Sequence, residues 1–357
     1  MSRGVRAIRP IFWFLAFIPV AAAAGWFGAP PVAVFTLSAL AIFPLSALLG
    51  EATEQLAGYA GPVAGGVINA SLGNLAELII AILALKAGMV DLVKASITGS
   101  ILGNLLLVLG AAQLAGGLKF PTQKFNRHLA GMNTALLVIA VVGLVVPALF
   151  LTAHPDPSHR LTVKMSEFVA ALLIVGYALS LLYSMGTHRA VFGEGGEVAH
   201  GEHAPAWPLR RTIIVLAAVS AGLGWMSELL VGATQGAVAA TGLSQFFVGI
   251  VLVPIIGNAA EHSSAVLLAR KGRMDLALGI ALGSTVQVAL LVAPLLVFAG
   301  LLLGQPMDLA FSPFEITGVA LAVWIASVIV QDGESNWLEG AFLLLVYGVL
   351  GVAFYFF

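Results

Sequence analysis

The chain has 357 residues, of which 60% are hydrophobic and 9% charged, with a net charge of −1 and no cysteine. Soluble domains are roughly 45–50% apolar and about 25% charged, so the apolar surplus belongs to a surface that faces hydrocarbon. The near-neutral charge excludes nucleic acid as a partner, and the missing thiols exclude disulfides and thiolate metal sites.

Apolar runs of the length that crosses a bilayer core of about 30 Å as a helix recur along the whole chain. Only helices and closed barrels satisfy their backbone groups in lipid. The alternating polarity of barrel strands, in segments of about 10 residues, is absent. The prediction is an all-α integral membrane protein with eleven transmembrane helices.

In chain order, Arg3, Arg6 and Arg9 precede an apolar run from Ile11 that passes through Ala21 to Ala24. The pattern resembles a secretory signal; the expectation is that it stays as an additional helix at 11–27. Spans follow at 31–50, 55–86, 91–117, 126–151 and 164–186. After a polar connection come 211–235, 244–270, 275–304, 313–331 and 337–357. The segments 55–86 and 275–304 are too long to stand upright, which predicts tilt or a break, with Pro62, Gly65 and Gly66 as one place for it.

Basic residues give the orientation. With the N-terminus in the cytoplasm, that side holds twelve lysines and arginines; the other holds four, Lys86, Lys94, Arg160 and Lys164. An internal N-terminus and an external C-terminus are therefore expected. Rich Ala and Gly content and short loops suit a prokaryotic inner membrane. The connection from His188 to Arg211 contains Glu194, Glu197, His200, Glu202 and His203. It reads as a flexible cytoplasmic linker, with a weak cation sensor as the alternative.

Residues 73–108 align without gaps to 257–292, and 14 of the 36 positions are identical. Apolar composition alone does not readily supply the shared Gly-Asn, Glu, Asp and Gly-Ser. The likeness extends upstream: Ser46, Leu49, Ala52 and Thr53 match Ser227, Leu230, Ala233 and Thr234. The units are a helix within 1–30, a five-helix repeat at 31–186, a linker at 187–210 and a second five-helix repeat at 211–357. An odd number of spans per repeat inverts the second copy, an arrangement found in secondary transporters with sites near the midplane.

Glu77 and Glu261 occupy the same place in the two copies, inside apolar spans. An ionised side chain there costs at least ~2.5–3.5 kcal/mol, so it should face a partner, a cavity or an ion. Asn74 and Asn258 lie one turn earlier, after Gly73 and Gly257. These glycines either loosen the helix and free carbonyls as ligands or simply allow close packing. In the next span Ser100 and Ser284 follow glycines, and Asn104 and Gln287 project onto the serines' faces. Two carboxylates, four amides and two hydroxyls make a hard-oxygen set suited to Ca²⁺, with Mn²⁺ also compatible. The same glutamates can carry protons, so cation and H⁺ compete for the same oxygens. Glu51, Glu54 and Glu228 are candidates for gating or cation recruitment. His262 is a packing or tuning residue, and Asp91 and Asp275 suit helix N-termini.

The segments GNLAELIIAILALKAGMVDLVKASITGSILGNLLLVLG and GNAAEHSSAVLLARKGRMDLALGIALGSTVQVALLV resemble the paired signature repeats of the cation/proton exchangers, the Ca²⁺/H⁺ antiporters of the calcium/cation antiporter superfamily. The resemblance covers essentially the whole chain. It implies that Glu77 and Glu261 are the essential cation-binding glutamates, surrounded by Asn74, Asn258, Ser100, Ser284, Asn104 and Gln287, with Ca²⁺ as transported substrate and H⁺ as counter-ion. Sodium/calcium exchangers of the superfamily carry serine- and threonine-rich versions with an additional acidic residue, so the asparagines here point to protons rather than Na⁺. The linker departs from the strongly acidic loop of many members. The expected partners are bilayer lipid, inorganic cations and, as an option, further copies of the chain. Exchange of Na⁺, K⁺ or Mn²⁺ for H⁺, a passive channel and an intramembrane enzyme remain as alternatives.

Overall fold

The structure, a computed structural model, describes residues 10–154, 159–188 and 205–356. Arg3, Arg6 and Arg9, and the linker residues Glu194, Glu197, His200, Glu202 and His203, lie outside the described residues.

The chain opens with a tight 3₁₀ stretch, Pro10–Ala16, and α1, Phe17–Trp26. Helix α2, Pro31–Tyr59, starts on a proline at its first position, where the missing N–H costs nothing. It is followed by α3, Gly61–Leu72, and α4, Leu75–Lys86. Helix α5, Val90–Leu102, continues through a wide π turn, Gly103–Val108, into α6, Leu109–Gly117. Next come α7, Arg127–Ala153, and α8, Arg160–Leu181.

After the linker, α9 is Leu209–Thr241. A short helical turn and a second wide turn, Val248–Leu252, lead into α10, Val253–Ala269. Helix α11, Met274–Gln287, passes through a third wide turn, Val288–Val292, into α12, Ala293–Leu302. Helices α13, Pro313–Ile329, and α14, Trp337–Phe356, complete the chain. Among the described residues eight helical rods are long and apolar enough to cross a membrane, and shorter apolar helices lie at Trp13–Trp26 and Pro313–Ile329. Among the described residues the only strands are a two-residue antiparallel ladder, β1 (Gln123–Lys124) against β2 (Glu334–Ser335).

The break expected within 55–86 is present beside Pro62, a second one follows, and the division of the run is corrected. The segment 55–86 is not one span. Its first residues belong to α2, and the remainder divides into α3 and α4. The breaks fall at Ala60–Gly61, where Gly61 takes φ +76°, and at Gly73–Asn74, while Gly65 and Gly66 lie inside α3. A positive φ is open to glycine at little cost, so Gly61 is where the chain turns. Glu51 and Glu54 consequently lie within α2, and Glu228 near the middle of α9, rather than at span ends. Helix α2, with 29 residues, would reach about 43 Å at 1.5 Å per residue, longer than the bilayer core, so it must tilt.

The most extensive helix pairing is α2 with α9. Small residues let other helices come close. A Cβ on Gly340 of α14 would lie 2.6 Å from the Gly110 carbonyl of α6, and one on Gly249 would lie 2.7 Å from Ala95 of α5. Such close approach is how helices pack where lipid removes the hydrophobic drive between them.

An ion pair ties α5 to the turn before α13. Lys94 Nζ donates to Asp308 Oδ1 at 2.6 Å and to the Ala310 carbonyl at 3.1 Å, 5.9 Å from the Phe311 ring centroid. Nearby, Thr98 donates to Glu315 Oε1 at 3.0 Å, and Glu315 closes a capping box with Ser312 at the start of α13. Truncating Lys94 strands a carboxylate that is largely out of water. Lys94→Ala is expected to cost roughly 1–3 kcal/mol, read as a lower unfolding temperature in detergent; an unchanged temperature would show that the pair holds nothing together.

Candidate cation site

Five helical elements converge on the two glutamates. Glu77 stands in the first turn of α4, because the chain breaks at Gly73–Asn74 just before it. A negative side chain suits that end of a helix. Glu261 stands in the middle of the unbroken α10. Ser100 comes from α5, Asn104 from the wide turn after it, and Ser284 and Gln287 from the last turn of α11.

Glu77 is buried. Its Oε1 accepts hydrogen bonds from the Ser100 hydroxyl and from the Asn258 side-chain amide. Among the described residues its Oε2 has no hydrogen-bond partner, and neither does Oε2 of Glu261. A second chain of bonds adjoins this one. Asn104 Nδ2 donates to Ser284 Oγ at 3.1 Å, Ser284 Oγ donates to Asn74 Oδ1 at 3.0 Å, and Asn74 Nδ2 donates to Gln287 Oε1 at 2.8 Å. Glu261 stands on α10 one turn after Asn258, the donor to Glu77.

All eight polar residues singled out in the sequence thus meet at one place. Their partners differ from those that helical spacing suggested. Asn104 reaches across to Ser284 rather than to Ser100 on its own helix, and Gln287 reaches across to Asn74. Asn258 of the second half serves the glutamate of the first. The glycines also differ. Gly73 sits at a genuine break, but Gly257 lies inside α10, so no carbonyl is freed there. A Cβ on Gly257 would lie 3.4 Å from Glu77 Cγ, an ordinary van der Waals contact, so Gly257 faces that side chain without crowding it. The backbone instead departs from α geometry in the wide turns. Those at 103–108 and 288–292 fall at matching places of the two aligned segments, and π turns are frequent at functional sites.

Glu54 and Glu228 are exposed and Glu51 is half-buried; none joins the network. His262 is half-buried with its Nε2 unpartnered. The cross-link from Thr98 to Glu315 carried no signal in the repeat, since the residue 184 positions before Glu315 is Gly131.

Among the described residues no three His, Asp or Glu side chains cluster as a transition-metal site would require. The donors are two carboxylates supported by neutral amide and hydroxyl oxygens. Two buried carboxylate oxygens without a protein partner are costly, and a hard divalent cation would supply the missing contacts. Protons on the carboxylates would do the same.

A family model described as sodium/calcium exchanger protein matches residues 30–186 and 211–356. A Ca²⁺/H⁺ antiporter of Aphanothece halophytica is 43% identical over 358 residues, covering 97% of this chain and 96% of the relative. The Ca²⁺/H⁺ antiporter ChaA of Bacillus subtilis (strain 168) is 39% identical over 328 residues, covering 91% of this chain and 93% of the relative. Among solved structures, native YfkE superposes with a TM-score of 0.85 at 35% identity, covering 98% of this chain and 100% of its own. The H⁺/Ca²⁺ exchanger CAX gives 0.72 at 16% identity over 97% of this chain and 91% of its own, a likeness of fold.

Proposed function

The chain belongs to the sodium/calcium exchanger protein family, and from that premise we propose that it is a Ca²⁺/H⁺ antiporter in the membrane, a secondary transporter and not an enzyme. Ca²⁺ is the substrate and H⁺ the counter-ion. Ca²⁺ leaves the cytoplasm as protons enter, through alternating exposure of one site to the two sides.

The observation that carries this reading is the pair Glu77 and Glu261, each with an Oε2 unpartnered among the described residues, set beside hydrogen bonds that run between the halves from Asn258 to Glu77 and from Asn74 to Gln287. Ca²⁺ takes the two carboxylates, with Asn74, Asn258, Ser100, Ser284, Asn104 and Gln287 as ligands or as groups that orient them. The carbonyl at Gly73 is a further candidate because it flanks the break, whereas that of Gly257 is committed inside α10. Protons replace Ca²⁺ on Glu77 and Glu261, so loading with one ion requires release of the other. Glu51, Glu54 and Glu228, which lie within α2 and α9, would serve at most to recruit cations or gate their passage from outside the network.

The architecture that suits this cycle is eleven spans, arranged as two inverted five-helix units at 31–186 and 211–357 plus the helix near the N-terminus. The duplicated segments, separated by an odd number of spans, support the inversion. The excess of basic residues supports a cytoplasmic N-terminus and an external C-terminus, and the bacterial relatives support a prokaryotic inner membrane.

In proteoliposomes an imposed pH gradient should drive radiolabelled Ca²⁺ uptake with neither Na⁺ nor K⁺ present. Because both ions use the same oxygens, the Ca²⁺ concentration for half-maximal uptake should rise as pH falls on the Ca²⁺ side. Uptake indifferent to the pH gradient would refute the reading, and competition by Na⁺, K⁺ or Mn²⁺ would measure selectivity.

A further inference from the structure

Three helix ends meet at one side of the bundle: α7 begins at Arg127, α13 ends at Ile329 and α14 begins at Trp337. The β1–β2 ladder ties them together. Trp337 is 48% exposed and Trp324, further back on α13, 67%. Exposed indoles of this kind mark the headgroup level of a bilayer.

Between α7 and α13 opens a groove of about 430 Å³, and a second of about 400 Å³ shares Arg127, Val328 and Gln331 with it. Both volumes fall within the ~300–1,000 Å³ of small-molecule sites. The chemistry of the lining is uneven. Thr134 Oγ1 donates to the carbonyls of Ala130 and Gly131, each at 3.0 Å, and Ser327 Oγ donates to Val323 at 2.6 Å. Both hydroxyls have committed their protons to their own helices and offer only lone pairs. The donors left in the groove are the Arg127 guanidinium and the Gln331 amide.

The second part of the groove carries Asp332 and Glu339. Each carboxylate is held by a neighbouring backbone N–H. Asp332 Oδ1 accepts from Glu334 at 3.0 Å, and Glu339 Oε2 accepts from Asn336 at 3.2 Å. Among the described residues Arg127 forms no ion pair with either. One groove at the lipid boundary therefore presents a cation and two anions, anchored apart.

We infer that this groove holds the headgroup of a phosphatidylethanolamine, its phosphate on the Arg127 guanidinium and its ammonium against Asp332 and Glu339. The ammonium brings three N–H donors for the two carboxylates. A phosphatidylglycerol headgroup would set a net negative charge before two carboxylates, and a choline has no N–H to give. The acyl chains would follow the exposed apolar faces of α7 and α13, at Val138, Val142 and Leu321.

Native mass spectrometry of the purified full-length chain tests this, with dioleoyl phosphatidylethanolamine, phosphatidylcholine and phosphatidylglycerol titrated separately. Phosphatidylethanolamine should be retained under activation that strips the other two. Arg127→Ala should weaken that retention about tenfold, the effect of one lost charge-assisted hydrogen bond. Joint Asp332→Asn and Glu339→Gln keeps both backbone hydrogen bonds and should let phosphatidylglycerol bind as well as phosphatidylethanolamine. Equal retention of the two lipids by the unaltered chain, or ethanolamine retention untouched by Arg127→Ala, overturns the inference. If Arg127→Ala does not fold, the carboxylate double variant decides: an unchanged lipid preference there also overturns it.

Discussion

Replacing either Glu77 or Glu261 with glutamine is expected to abolish Ca²⁺/H⁺ exchange while leaving a folded protein. Glutamine keeps the shape of glutamate and keeps an Oε1 that can accept from Ser100 and Asn258, so the network around Glu77 survives. What disappears is the charge that binds a divalent cation and the oxygen that takes up a proton. A hydrogen bond or ligand contact to a charged group is worth about 1.5–3 kcal/mol, and here both exchanged ions lose it. At 1.36 kcal/mol per tenfold, uptake should fall at least ~100-fold. The readout is radiolabelled Ca²⁺ uptake by proteoliposomes, with size-exclusion behaviour and unfolding temperature as controls for assembly. Near-normal exchange by one variant would remove that glutamate from the mechanism. Near-normal exchange by both would refute the site.

The second large effect concerns assembly. Gly99 lies where α5 crosses the wide turn before α10. A Cβ there would lie 2.6 Å from the Ile250 carbonyl carbon and 2.7 Å from Pro254 Cγ. Neither neighbour can swing aside, since one is backbone and the other a proline ring. Overpacking in a dense interior typically costs about 1–3 kcal/mol, and valine adds two further methyl groups against the same wall. Gly99→Val should therefore yield little or no folded protein. Gly99→Ala should be recoverable with a lower unfolding temperature and weakened exchange, because Ser100, the hydrogen-bond donor to Glu77, moves with α5. Gly103→Ala is the contrast: nothing lies within 4 Å of a Cβ built there, so that variant should behave as the parent does. A monodisperse Gly99→Val with parental transport would show that the helices do not meet as described.

Much of the site was legible in one dimension. Glu77 and Glu261 stand out because a carboxylate in an apolar span is costly and was found twice with the same neighbours. Ser100, Ser284, Asn74 and Asn258 were visible for the same reason. The helix boundaries were less visible. The run 55–86 reads as one long span in which a tilt or break is expected, whereas the places of its breaks depend on backbone angles at Gly61 and at Gly73–Asn74. Asp308, the partner of Lys94, stands in a turn with no repeat counterpart to mark it; the residue 184 positions earlier is Lys124.

By itself the sequence determined the solvent, the secondary structure and the chemical inventory. The apolar surplus requires lipid, lipid requires helix, and duplication marks the acids, all of which are properties of local composition and order. Only the tertiary structure decided who binds whom. Asn74 meets Gln287 across 213 positions, Asn104 meets Ser284 across 180, and Asn258 serves Glu77 across 181. Helical periodicity constrains neighbours three and four residues apart, and it is silent about contacts between halves. Those contacts depend on how closely α5 approaches the wide turn before α10, which small residues such as Gly99 and Gly249 permit. Two intramembrane glutamates, each identified from its own apolar run, come to share one set of polar neighbours because the halves pack together, with Asn258 of the second half on Glu77 of the first.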